Sequence, residues 1–113
     1  MADENNNVFK LDYGVHTFTF DKNRISNAKM QRLKLLEEAS EAVEAARALD
    51  SSSYNDPYYA IKRAHLEDEI ADVISAACNL AAYAGLTGDE INQALKRNYQ
   101  RCVRRGYVKT SDD

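Results

Sequence analysis

The chain has 113 residues, 44% of them hydrophobic and 29% charged, and 18 acidic against 15 basic side chains leave a net charge of −3. This length fits one small domain, and so weak a charge argues against a dedicated nucleic-acid binder, which is usually strongly basic. No run approaches the roughly 18 apolar residues of a membrane-crossing helix, and Cys78 and Cys102, without CxxC spacing, suggest neither a disulfide framework nor a zinc site.

Residues 1–22 are predicted to form an N-terminal arm, partly disordered. It opens on MADENNN, which lacks the basic and apolar parts of a signal peptide, so a cytoplasmic location is expected. The alternation Thr17-Phe18-Thr19-Phe20 suits a short strand or an extended arm lying on helices. A single domain is expected over 23–108, with a loose tail at 109–113. Its first helix should open at Ser26 or Asn27, either able to cap it, and run to about Leu49. Asp50 to Pro57 reads as a loop, with Asp56 as N-cap and Pro57 as the first residue of a second helix. Gly85 should end that helix; Thr87 or Gly88 should open a third, stopped by Gly106. The expected fold is all-α, a helical bundle of two long antiparallel helices plus a shorter third. Oligomerisation would complete it.

Residues 34–46, KLLEEASEAVEAA, hold four glutamates and one lysine. At about 100° per residue, Leu35, Leu36, Ala39, Ala42, Val43, Ala46 and Leu49 share one arc. Glu38 falls at its edge and Glu41 roughly 60° further out. Solvated helix faces usually carry Glu→Lys pairs four residues apart, but here Glu38, Glu41 and Glu37 are followed at that spacing by Ala42, Ala45 and Glu41. The second helix repeats the arrangement: Glu69 at the edge of an arc of Leu66, Ile70, Val73, Ile74, Ala77 and Leu80, and Asp72 beyond it. No charged residue occurs from Val73 to Gly88, so this stretch is either central to the fold or buried between subunits.

Antiparallel packing would bring the two acid pairs together. Four carboxylates without a cation would raise one another's pKa and destabilise the fold, whereas Mg2+ or Mn2+ favours such oxygens. A di-iron bundle is the competing metal reading, but it wants Glu-x-x-His. His65, four residues before Glu69, reads as a polar neighbour rather than a ligand.

The order Glu38-x-x-Glu41, 27 residues, Glu69-x-x-Asp72 resembles the all-α nucleoside triphosphate pyrophosphohydrolase superfamily, which holds MazG-like proteins, all-α dimeric dUTPases and phosphoribosyl-ATP pyrophosphohydrolase. The resemblance lies in KLLEEASEAVEAA and LEDEIADVISAACNLAAYAGL and extends loosely through KRNYQR. It implies dimers or tetramers, Mg2+ (or Mn2+) on Glu38, Glu41, Glu69 and Asp72, and hydrolysis of a nucleoside triphosphate between the α- and β-phosphates. Glu37 and Glu38 would be the catalytic acids, with Glu37 orienting or deprotonating the attacking water; its plainer reading is an exposed helix acid.

The third helix is expected to supply phosphate contacts, because Lys96, Arg97, Arg101, Arg104, Arg105 and Lys109 follow Glu90 with no acid before Asp112. The plainer reading is cations gathered at a helix C-terminus. Asn98 resembles an asparagine that MazG-like proteins place here for nucleotide contact. Many of them carry a lysine four residues earlier, where this chain has Ala94. The nucleotide-binding set is therefore Lys34, Lys96, Asn98 and Arg101. Tyr83 and the tyrosines at 54–59 are candidates to stack on a base, or else core or interface residues. The alternative function is a non-catalytic helical oligomer that binds nucleotide or a protein partner; neither nucleic acid nor membrane is an expected partner.

Overall fold

The computed structural model describes residues 28–108. The expected arm at 1–22, the caps Ser26 and Asn27 and the tail at 109–113 lie outside the described residues. Within them the chain forms α1 (Ala28–Asp50), α2 (Tyr59–Tyr83) and α3 (Gly88–Arg104), with no strand among the described residues. No helix there is long and apolar enough to cross a membrane.

Both predicted glycine stops are present. Gly85 and Gly106 have φ of 81° and 78°, the left-handed region that glycine enters without a Cβ penalty. Around each, two bonds close the helix end: Leu86 N–H donates to the Ala81 carbonyl and Gly85 N–H to Ala82, and likewise Tyr107 to Cys102 and Gly106 to Val103. Thr87 opens α3 through a reciprocal box, its hydroxyl accepting from Glu90 N–H at 3.1 Å while Glu90 accepts from Thr87 N–H at 2.9 Å.

Asp56 departs from its expected role. It caps a turn before α2 rather than the helix, which begins two residues beyond Pro57. Its Oδ1 accepts from Tyr58 N–H at 2.8 Å and its carbonyl from Tyr59 N–H. Lys62 Nζ, from the first turn of α2, donates to Asp56 Oδ2 at 3.1 Å and to Ser52 Oγ at 2.7 Å. The turn satisfies Asp56 locally, so the helix starts after it.

The tied loop sends α2 back along α1, and these two helices pack extensively on each other; α3 packs extensively on neither. The seam is legible in burial. On α1, Gln31, Leu35, Glu38, Ala42, Ala45 and Leu49 are buried or half-buried; on α2, so are Lys62, Leu66, Glu69, Val73, Ala76 and Leu80. Both sets step alternately by four and three residues, the 3.5-residue repeat of coiled-coil packing.

This seam corrects the expected core face. Leu36 is 68% exposed and Val43 52%, whereas Glu38 is only 7% exposed. A 3.6-residue wheel drifts by about 20° per heptad against a 3.5-residue seam. The small side chains Ala45 and Ala76, each 4% exposed, let the helices close along the alanine–glutamate side. The larger apolar residues are left outward: Leu33, Leu36 and Val43 on α1, Ile61, Ile70 and Ile74 on α2. The uncharged stretch after Val73 is likewise not enclosed within one chain, since Ile74, Tyr83 and Leu86 are exposed.

Candidate metal centre

Glu38 and Glu69 sit on facing seam positions, at similar distances from the loop, which is why residues far apart in sequence meet. Glu41, one turn after Glu38, leans over the same place. One carboxylate oxygen from each of Glu38, Glu41 and Glu69 lies within 4.8 Å of the others. Glu38 is buried, Glu69 half-buried and Glu41 exposed, so the group opens to solvent on one side.

Each seam glutamate has a basic residue beside one oxygen. Lys34 Nζ lies 2.9 Å from Glu38 Oε1, and His65 Nε2 lies 3.7 Å from Glu69 Oε1. The other oxygens, Glu38 Oε2 and Glu69 Oε2, are buried and have no hydrogen-bond partner. A buried carboxylate oxygen without a donor is costly to desolvate, and a cation is the partner that removes the cost. The donors are oxygen only, which fits Mg2+, Mn2+ or Ca2+ better than zinc or iron.

The crowding shows in titration. The Glu41 carboxyl is pushed above the ordinary glutamate value of 4.5, first by the charge of Glu38, then by desolvation and by Glu69, with Glu37 adding a smaller push. Lys34 is held above its usual 10.5, chiefly by its bond to Glu38. Three acids against one ammonium leave an excess of negative charge that a divalent ion would neutralise.

Of the four expected ligands, the structure brings together Glu38, Glu41 and Glu69. Asp72 is exposed on α2 and lies outside the group. Glu37 is exposed and reaches the group only as a nearby charge. Lys34, expected among the nucleotide contacts, is engaged with Glu38. On α3, Lys96, Asn98 and Arg101 are all exposed, and among the described residues no hydrogen bond or ion pair joins them to the acids. Asn98 Oδ1 instead accepts from Cys102 Sγ at 3.7 Å. Tyr54 and Tyr59 pack on each other with ring centroids 5.3 Å apart, and the Arg63 guanidinium stands 6.0 Å over Tyr59. Tyr83 is exposed.

From the sequence, Lys34 reads as a phosphate contact and His65 as a polar neighbour of Glu69. Their shared position, four residues before a seam glutamate, was the available signal. Comparison with protein-family models, with curated proteins and with solved structures returned no match.

Proposed function

We propose that this chain is a Mg2+-dependent nucleotide pyrophosphohydrolase that cleaves a nucleoside triphosphate between its α- and β-phosphates, yielding the monophosphate and pyrophosphate. One observation carries the reading. Three carboxylates from two helices converge, and two of their buried oxygens lack any partner. Three of the four acids in the order that resembles the all-α pyrophosphohydrolases fall in that group, and two of them, Glu38 and Glu69, are buried or half-buried in the helix seam.

On this reading Glu38, Glu41 and Glu69 hold the ion, while Asp72, the fourth acid of the resembled set, lies exposed one turn after Glu69 and outside that group. The ion, when bound, supplies charge neutralisation at phosphate and acidifies a water. Glu37, exposed beside the group, orients that water or takes its proton. Lys96, Asn98 and Arg101 of α3 are exposed, and on this reading they would meet the phosphates.

The test is pyrophosphate release with Mg2+ across a broad panel of canonical and modified NTPs and dNTPs. Release from at least one substrate is expected, lowered by about 100-fold or more in Glu38→Gln, the scale of losing one preorganised electrostatic contact. Asp72→Asn should lower it too. No release from any panel member sinks the reading. A non-catalytic nucleotide-binding oligomer would then stand if the protein still bound nucleotide in calorimetry.

The working form is a homo-dimer or homo-tetramer. Leu36 and Val43 on α1, with Ile70 and Ile74 on α2, form an outward apolar side of the helix pair that a second pair would cover as a four-helix bundle. Light scattering during gel filtration should return at least twice the monomer mass. Substituting Leu36 and Ile74 together with lysine should shift it toward monomer; a wild-type monomer at micromolar concentration would refute the oligomer.

A further inference from the structure

We propose that Lys34 is a positioning residue for the cation, holding one oxygen of Glu38 so that the other faces the ion, and that His65, in the matching place beside Glu69, plays the weaker counterpart of that role. This rests on the metal-binding reading above and assigns the ion's contacts to Glu38 Oε2 and Glu69 Oε2.

Two helices that differ in sequence place a basic side chain at the same position, with only Lys34 at hydrogen-bond distance. In α1 a basic residue stands four before the glutamate, with Lys34 Nζ 2.9 Å from Glu38 Oε1. In α2 His65 Nε2 stands 3.7 Å from Glu69 Oε1, at ion-pair range. On both sides the remaining oxygen is the buried one without a partner. Helix geometry explains the choice of position. Side chains tilt toward the N-terminus, so the residue four earlier is the one a glutamate leans over. A donor there restrains the carboxylate's rotation, and the side chain need not be ordered when the ion arrives. Glu38 is the better restrained, because its side chain is only 9% exposed and its partner is at full hydrogen-bond distance.

Charge alone would have the opposite effect. An ammonium beside a ligand oxygen repels a divalent ion, so deleting it should tighten binding if Lys34 merely sat there. Positioning requires deletion to weaken binding. The role also moves Lys34 out of the phosphate-binding set, since its ammonium is engaged within the site.

The experiment is calorimetric titration of the full chain with Mn2+ alone, without nucleotide. Lys34→Met is expected to bind about 10-fold more weakly than wild type, at the lower end of the loss seen when a ligand's orienting partner is removed. Lys34→Arg, which keeps a donor, is expected to recover most of that affinity. His65→Leu should lose affinity in the same direction by a smaller factor, and His65→Gln should recover it. Lys34→Met leaves the buried Glu38 carboxylate without its donor, so the ion-free variant is expected to melt below wild type, and affinities are compared at a temperature where melting curves show every variant folded. Lys34→Met binding Mn2+ as tightly as wild type or more tightly, while Glu38→Gln loses it, overturns the positioning role and leaves the metal site standing. An equal loss in Lys34→Arg and Lys34→Met also overturns it. Absence of Mn2+ binding by the wild type removes the metal reading and this proposal together.

Discussion

Glu41→Gln is expected to weaken Mn2+ binding by about 100-fold or more and, in the ion-free protein at neutral pH, to raise the melting temperature. The two effects have opposite sign because one charge causes both. Glu41 sits within reach of Glu38 and Glu69 and feels Glu37 as well, and its carboxyl is driven above the ordinary value. A raised acid pKa means that the folded state disfavours the ionised form. At neutral pH the ionised Glu41 therefore works against folding, and a neutral amide of the same length and similar helix propensity removes that repulsion. The same amide removes one anionic donor from the ion. Loss of an orienting partner alone costs 10–100-fold in metal affinity, so loss of a direct ligand should reach about the upper end of that range or pass it. Glu44→Gln is the matched control. Glu44 is exposed and pairs with Arg47 at 3.4 Å, away from the group, so neither affinity nor melting temperature should move appreciably. Calorimetry with Mn2+ and thermal melts in EDTA read the two quantities separately. A drop in both for Glu41→Gln would mean that Glu41 is a structural acid and not a strained ligand.

The helices were legible because their ends are chemical. Gly85, Gly106 and the Thr87–Glu90 box act on the nearest turn, and such signals survive whatever packs later. The start of α2 was less legible, since Asp56 had two uses, and the loop settled it by bringing Lys62 and Ser52 to its side chain. The acids were legible as a spacing, and three of them meet as expected. Their placement was not. A wheel ranks faces by apolar content and so turned Leu36 and Val43 inward. Packing between two helices alone favours close approach, which the alanines on the glutamate side allow. The wide apolar side is then left exposed within one chain, an outcome that a wheel, which ranks faces one helix at a time, does not represent. Asp72 and the α3 cations show the other limit: periodicity gives a residue's direction around its own helix, but not whether a neighbouring helix comes within reach.

Ion-free protein is expected to lose stability as pH rises from the ordinary glutamate range through the raised Glu41 value, and saturating Mn2+ is expected to reverse that slope. Three carboxyls contribute to the ion-free curve with a known direction. Asp56 is held below its usual 3.8 by Tyr58 N–H and Lys62, and Glu90 below 4.5 by Thr87. A lowered acid pKa stabilises the fold above the unfolded value, and that contribution is lost as pH falls through the folded value, so both act on the acid side. Glu41 is raised above 4.5, so the folded state binds its proton more tightly than the unfolded chain does. Relative to the fully protonated state, stability falls as pH rises from 4.5 through the raised value and then levels off. Adding Mn2+ changes the sign because the ion binds ionised acids. Its contribution grows as Glu41 loses its proton and reaches about 2.7 kcal/mol at 100 times the dissociation constant. Urea midpoints between pH 4 and 7.5, in EDTA and in Mn2+ at one protein concentration, give the two curves. Fixed protein concentration matters because an oligomer's midpoint shifts with it. Parallel curves would mean that the ion does not bind these carboxylates. A crossing near the foot of the Glu41 titration would tie the ion to the same proton that the crowded acids retain.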